Sequence, residues 1–391
     1  MRGARQGDAV SSRHGPEAAR LRARLAEARH VLAAGVALDA AAVFAAVRDE
    51  AAALGLAAER ADALLGLGDC ALESGEPARA RDLFAAVEHL LAAEPLPRRV
   101  PALRGRATAH LLAGELRYCA HLLERTVREL NASGLHAPDA LLLLHTASIA
   151  PYMDMGAHVR AAHAAQLALA LAPQVNDPAL VAGMYRGVAR TLIAEGRTAE
   201  ADASLAKAQE LCAQLHLRTD LAHCHWMRGY VLAQNGELDP AEGELRTARG
   251  ILTAKRAALF TVQVEVELAD VLRRRGRTGE AEALLRPLLS SSALGAERGA
   301  VHAGGAHRLL GLIAEERADT ESAEEHYCAA LSLLERTGAA GDLADLCRLL
   351  GDLLRRTGRV EAALDAYRTG LGHRAAPGTT TLGPAPTAPA P

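Results

Sequence analysis

The chain has 391 residues and a formal net charge of −3, and half of its residues are apolar although only 3% are aromatic. This balance excludes the strongly basic composition that is typical of nucleic-acid-binding domains. The chain also lacks the uninterrupted apolar run of roughly 18 residues that a membrane-spanning helix needs. Six cysteines occur without a CxxC pair, which indicates free thiols in a reducing compartment. These features predict a cytoplasmic protein that contacts neither membranes nor nucleic acid directly.

Small residues recur along the chain at intervals of 39 to 42 residues, and we call these positions the anchors. Eight of the nine anchors are glycine, and Ala318 takes the remaining place. In chain order they are Gly35, Gly75, Gly114, Gly156, Gly196, Gly236, Gly276, Ala318 and Gly358. A spacing this regular indicates an internal repeat, which has to be interpreted before any single motif.

Fixed distances from each anchor carry fixed kinds of residue. Seven residues before it and five residues after it the side chain is usually small, and nine residues after it the side chain is usually large. The large set is Phe44, Phe84, Leu123, Ala165, Leu205, Leu245, Leu285, Tyr327 and Tyr367. This pattern predicts an antiparallel helix pair in which the anchor ends the first helix. Such pairs bury their apolar faces only by stacking on one another.

The units around Gly75, Ala318 and Gly358 resemble tetratricopeptide repeats (TPRs); the last reads LLGDLLRRTGRVEAALDAYRTGL. The resemblance implies an all-α, right-handed superhelical solenoid of about nine antiparallel helix pairs. The period of about 40 residues departs from the roughly 34 that is typical of the family, which predicts longer second helices or connecting loops. In chain order, we expect a disordered segment over 1–16, the repeat domain over 17–371 and a disordered Pro/Thr/Ala-rich tail over 372–391. An uncapped final hairpin predicts a homodimer formed through one end of the solenoid.

The resemblance also implies which residues line the concave groove. They lie ten and six residues before each anchor, and because they are four apart they share one helical face. In the middle of the array this rule selects Arg104, Thr146, Arg186, Arg190, Trp226, Tyr230 and Asp270 as the ligand-binding set. Arginine forks bind carboxylates and aromatic rings provide rigid contact area, so these residues suit a peptide that carries an acidic group or a free C-terminus. The alternative is that Arg190 pairs with Asp270, or Arg348 with Asp352, and that neither binds a ligand.

Other candidate sites are weaker. His223, Cys224 and His225, with Cys212 and His216 upstream, have metal-ligand chemistry, but adjacent helical residues point about 100° apart and three cannot face one ion. The segment GAVHAGGAH at 299–307 has the composition of a phosphate-binding loop without a preceding strand, and it is predicted to be a loop entering the next unit. The sequence therefore predicts no catalytic residues, no metal and no cofactor.

The predicted function is non-enzymatic: a regulatory sensor or adaptor that binds a protein or peptide in its groove and acts on bacterial transcription or differentiation. Two alternatives remain open from the sequence. One is a constitutive assembly scaffold without a small ligand, and the other is the TPR half of a regulator whose DNA-binding domain is not in this chain.

Overall fold

The computed structural model describes residues 15–113, 115–254, 258–290, 297–335 and 340–372, and in these residues all the regular structure is helical. The segments 1–14 and 373–391, which hold most of both predicted disordered termini, lie outside the described residues. The described helices begin at Gly15 and end at Gly372. The domain boundaries at residues 17 and 371 stay a prediction.

Eighteen α-helices occur in the described residues, and they form nine successive pairs. We call the odd-numbered helices A helices and the even-numbered ones B helices. Their bounds are α1 Gly15–Ala33, α2 Ala37–Ala53, α3 Ala57–Glu73, α4 Pro77–Leu90, α5 Leu96–Leu112, α6 Leu116–Ala132, α7 Pro138–Asp154, α8 His158–Leu171, α9 Pro178–Ala194, α10 Thr198–Gln214, α11 Arg218–Gln234, α12 Leu238–Ala254, α13 Ala258–Arg274, α14 Thr278–Leu289, α15 Glu297–Glu316, α16 Thr320–Leu334, α17 Ala340–Arg356 and α18 Val360–Gly372.

The chain divides into two compact units, which we call the first and second units. The first holds the described residues up to Tyr152 together with His163–Met184 and Cys212–Thr219, and the second holds the others. In the first unit each helix from α1 to α5 packs on the next one along the chain, and α3 also contacts the A helices on both sides. In the second unit the helices from α12 to α18 follow the same rule, and α13 contacts α15. These contacts confirm the predicted stacking of helix pairs.

The anchors sit where each A helix ends. Gly114 lies outside the described residues, and the other eight all have a positive φ, from 61° at Ala318 to 92° at Gly35. At Gly236 the backbone N–H bonds the Ala233 carbonyl, and the next N–H reaches back to Leu232 at 2.9 Å. This left-handed cap satisfies carbonyls that the end of a helix would otherwise leave without a partner.

Ala318 is the one described anchor that has a side chain, and its Cβ atom makes the left-handed backbone conformation sterically unfavourable. An L-residue with a Cβ atom is less stable than glycine in the left-handed region by about 1–2 kcal/mol. We therefore expect Ala318→Gly to raise the free energy of unfolding by about 1 kcal/mol, after the extra flexibility of glycine in the unfolded chain is deducted. Gly358→Ala, at the equivalent anchor with φ of 82°, should lower it by a similar amount. Urea unfolding followed by circular dichroism measures both, and a loss of stability in Ala318→Gly would contradict this explanation.

The small and large residues around each anchor meet as the repeat pattern predicts. A Cβ atom added at Gly68 would lie 2.6 Å from the ring of Phe84, and one added at Gly229 would lie 2.7 Å from Cγ of Leu245. Both large residues are fully buried. The glycines therefore allow the backbone of the A helix to approach the B helix of its own pair closely.

One element differs from the sequence prediction. The segment 299–307, which was predicted to be a loop, lies inside α15. The prediction was wrong because glycine was read as a sign of a loop. Here Gly304 instead makes room for Leu334, because a Cβ atom added at Gly304 would lie 2.7 Å from Cγ of Leu334.

The last described helix, α18, leaves Val360, Leu364 and Leu371 exposed. Dimerisation through this end stays a prediction.

Candidate functional site

In the first unit, the predicted site residues Arg104 and Thr146 lie on the A helices α5 and α7. Both side chains are partly buried, and Nε of Arg104 and Oγ1 of Thr146 are buried without a hydrogen-bond partner. Asp69 on α3 lies near Arg104. Burial raises the pKa of Asp69, and the positive charges of Arg104 and Arg29 offset this effect only in part. We call the face of the A helices that carries the positions ten and six residues before each anchor the A-helix face. In the first unit this face thus carries buried polar groups that lack hydrogen-bond partners.

In the second unit, the two predicted arginines of α9 are already paired with carboxylates of the chain. Arg186 contacts Asp220 at 2.5 Å, and Arg190 donates to Asp154 at 2.5 Å. The pairing of Arg190 with Asp270 that the sequence suggested is not the one found. Because each guanidinium has a carboxylate partner within the fold, binding an acidic ligand here would require breaking an existing ion pair.

The aromatic residues of α11 occupy different environments. Tyr230 is 4% exposed and packs against Met227 and Val231 in the core of the second unit. Trp226 is only partly buried, and its Nε1 is buried without a hydrogen-bond partner. The Trp226 ring contacts His223, whose ring lies 5.0 Å from that of Phe260. Of Tyr230 and Trp226, Trp226 is therefore the residue whose ring is partly exposed.

The neighbours of Trp226 in sequence point in different directions. His225 contacts Glu244 on α12 at 2.5 Å and also lies against Gln209 on α10. Cys224 is fully buried, and Cys212 is buried as well. Among the residues that the structure describes, no three His, Cys, Asp or Glu side chains are grouped so that they could hold a metal ion.

The second unit contains a small pocket that the sequence interpretation did not identify. It lies among α13, α15 and the start of α17, and it has a volume of about 40 Å³. The predicted site residue Asp270 lines it, together with Val266 and Arg308, which occupy equivalent groove positions in α13 and α15. The other lining residues are Glu267, Val301, Gly305, Leu309, Leu334 and Asp342.

The charged groups of this pocket are mostly acidic. Burial and then the negative charge of Asp270 raise the pKa of Glu267, and Asp342 adds to the effect while Arg308 opposes it; the resulting value is about 8. Burial and the same three carboxylates also raise the pKa of the Tyr230 hydroxyl. A positive group that entered the pocket would favour the ionised form of Glu267.

The predicted groove positions share one feature across both units. Three of the seven predicted site residues carry a buried polar atom with no hydrogen-bond partner, namely Nε of Arg104, Oγ1 of Thr146 and Nε1 of Trp226. All three stand ten residues before an anchor. Further buried side-chain atoms without a hydrogen-bond partner lie elsewhere among the described residues, on Glu17, Glu88, Arg99, Arg106 and His158. Because buried polar groups in folded proteins are nearly always hydrogen-bonded, the three at the predicted groove positions are candidates to bond a ligand or water.

Comparison with solved structures gives matches, although no protein-family model and no curated protein sequence matches the chain. The apo form of the quorum sensor NprR from B. thuringiensis is 15% identical, with a TM-score of 0.61 over 90% of this chain and 98% of that one. A Rap protein in complex with Competence and Sporulation Factor is 15% identical, with a TM-score of 0.60 over 90% of this chain and 97% of the other. The fold is a TPR-like helical repeat array.

A match to human IFIT1 shows that this fold accepts more than one kind of ligand. The IFIT1 dimer with PPP-AAAA is 15% identical, with a TM-score of 0.52 over 85% of this chain and 78% of that one. The fold alone therefore does not decide the ligand. In the part of the chain that the structure describes, no helix is long and apolar enough to cross a membrane.

Proposed function

We propose that the protein is a non-enzymatic, peptide-binding regulator whose ligand lies on the A-helix face. The observation that carries this proposal is the set of unsatisfied buried polar atoms at one repeat position, on a fold shared with NprR and with a Rap protein. NprR has also been solved with its cognate peptide NprX, at 14% identity and a TM-score of 0.56 to this chain. In this proposal the peptide lies on the second unit and accepts a hydrogen bond from Nε1 of Trp226.

Charge favours a peptide over a nucleic acid as the ligand. Phosphates need unpaired cations, whereas Arg186 and Arg190 are each paired with a carboxylate. The pocket beside Asp270 carries three carboxylates and one arginine. The proposal keeps the earlier expectations of a cytoplasmic protein without direct nucleic-acid contact; six free cysteines, five of them buried, fit a reducing compartment.

The proposal predicts that short peptides stabilise the full-length chain. We would screen pools of N-acetylated, C-amidated hexapeptides, each pool fixed at one position, by thermal unfolding. A ligand present at a hundredfold excess over its Kd should add about 2.7 kcal/mol to the free energy of unfolding. Trp226 is the only tryptophan in the chain, so its fluorescence provides a second, independent readout of binding.

Two variants locate the binding face. Trp226→Phe should weaken the best pool about tenfold, because a central aromatic contact and its N–H donor are lost. Tyr118→Phe is the matched control, since Tyr118 is an exposed aromatic residue on the B helix α6. Binding that is unaffected by Trp226→Phe would refute the A-helix face as the site, and the absence of binding by every pool would favour the assembly scaffold.

A further inference from the structure

The pocket of the second unit is set among more negative than positive charges. Glu267, Asp270 and Asp342 line it, and Arg308 is the only cation among the lining residues. The arginines nearby are engaged elsewhere: Arg308 contacts Asp345 at 3.5 Å, and Arg273 contacts Asp270 at 2.9 Å. Each arginine thus makes its ion-pair contact with a carboxylate other than Glu267.

Surrounding ion pairs do not correct this imbalance. Arg273 also contacts Glu316, and Arg348 contacts both Asp345 and Asp352. Among the described residues, the pocket carboxylates and the ion pairs that adjoin them comprise six carboxylates and three arginines. They are Glu267, Asp270, Glu316, Asp342, Asp345 and Asp352 on one side and Arg273, Arg308 and Arg348 on the other. Among the described residues carboxylates thus outnumber arginines here, Asp342 makes a further contact within the fold, and the pocket reaches Glu267, Asp270 and Asp342.

Glu267 is the group in this cluster that lacks a partner. Its carboxylate makes no hydrogen bond and no ion pair with any other part of the chain that the structure describes, its side chain is partly buried, and it lines the pocket. A partly buried carboxylate without a partner is costly, and the cost is removed when a cation arrives. The pKa of about 8 has the same origin.

The pocket has the shape for an organic cation on an aliphatic stem. Val266, Val301 and Leu309 provide apolar wall, and Gly305 leaves space beside Val266, because an added Cβ atom there would lie 3.4 Å from Cγ1 of Val266. A volume of about 40 Å³ has room for about three water-sized groups, which is the scale of an ammonium or guanidinium head. A metal ion fits less well, because no set of metal ligands is grouped among the described residues.

We propose that this pocket binds the cationic head of an arginine or lysine side chain of the peptide ligand, with Glu267 as its carboxylate partner and Asp270 and Asp342 in support. The proposal rests on the proposed function, since it assigns a side-chain preference to the same A-helix face. It replaces the acidic ligand expected from the sequence with a basic one. The stem of the side chain lies between Val266 and Leu309.

The test compares blocked hexapeptide pools that differ only at one fixed residue: arginine, lysine, citrulline or glutamate. Citrulline has nearly the shape of arginine but no charge. We expect the arginine and lysine pools to bind the full-length protein at least about tenfold more tightly than the citrulline pool, as a desolvated charge pair implies. Glu267→Gln should reduce this preference to less than threefold and leave citrulline binding unchanged.

Controls separate charge at the pocket from charge in general. Glu361→Gln makes the same chemical change at an exposed position on α18 and should keep the full preference. Glu267→Gln removes a partly buried carboxylate without a partner, so it should fold at least as well as the parent. Asp342→Asn provides a second reduction of charge at the pocket and should lower the preference as well.

The pH dependence provides a further readout. The charged and titratable groups that face Glu267 are Asp270 on its own helix, Tyr230 on α11, Arg308 on α15 and Asp342 on α17. Burial raises the pKa of Glu267 to about 8, so its charge changes near neutral pH. A cation binds the ionised form, so affinity for the arginine pool should rise between pH 6.5 and 8.5, and Glu267→Gln should abolish the rise.

Each outcome decides the proposal. Equal binding of the arginine and citrulline pools, tighter binding of the glutamate pool, or a preference that survives in Glu267→Gln would overturn the cationic assignment and leave the peptide-binding function intact. No binding by any pool would overturn both.

Discussion

Gly311→Ala is expected to lower the free energy of unfolding by about 3 kcal/mol, near the upper end of what overpacking costs. The added Cβ atom would lie 2.4 Å from Cε1 of Tyr327. Tyr327 cannot move aside easily, because it is fully buried and its hydroxyl donates to Glu315 at 2.5 Å. The backbones of α15 and α16 would therefore have to separate. Urea unfolding monitored by circular dichroism measures the effect.

The matched control is Gly243→Ala on α12. Gly243 is an exposed glycine in a helix interior, and an added Cβ atom there would meet no atom within 4 Å. The same substitution should stabilise the helix by about 0.5–1 kcal/mol, since alanine loses less conformational freedom than glycine. Effects of the same sign at both positions would show that close approach at Gly311 is not the cause.

Phe84→Ala is expected to cost about 3–5 kcal/mol, because its buried ring cannot be replaced by neighbouring atoms. The ring of Phe84 lies between two A helices at positions where both carry glycine. Added Cβ atoms at Gly68 and Gly105 would lie 2.6 and 2.4 Å from it. Glycines have no side chain that could collapse into the cavity, so little of the loss is recovered.

Leu38→Ala on α2 serves as the control, because Leu38 is 79% exposed and should cost less than about 0.5 kcal/mol. We expect Phe84→Ala to lower the urea midpoint without changing the slope of the transition, because the surface exposed on unfolding stays nearly the same. If Phe84→Ala cost no more than Leu38→Ala, the packing of large residues against glycine between neighbouring helices would not be a source of stability in the array.

Much of the fold was predictable because the repeat constrains it at every copy. The anchors end A helices, and at Ala318 the spacing identified a left-handed position even without glycine. For the segment 299–307 the loop prediction is wrong because glycine content alone, without the repeat register, does not distinguish a loop from a close contact between helices. Gly304 stands fourteen residues before an anchor, inside the A helix of its unit, where glycine indicates close packing as it does at Gly68.

The candidate site was only partly predictable. The spacing of ten and six residues before each anchor selected Arg104, Thr146 and Trp226, which carry buried polar atoms without a hydrogen-bond partner. The spacing gave no information on which side chains form ion pairs. Whether Arg186 finds Asp220 depends on side chains from different helices, and sequence spacing does not determine that contact. Glu267 was missed for the same reason: only the structure shows that a carboxylate beside the groove position of Val266 is partly buried and lacks a partner.

Hydrogen–deuterium exchange of the full-length protein, with and without the best-binding peptide pool, tests the central claim most directly. The claim is that a peptide binds the A-helix face. It predicts slower exchange in the A helices α11, α13 and α15, and little change in the B helices α12, α14 and α16. Protection confined to the B helices, or to the terminal hairpin of α17 and α18, would contradict it.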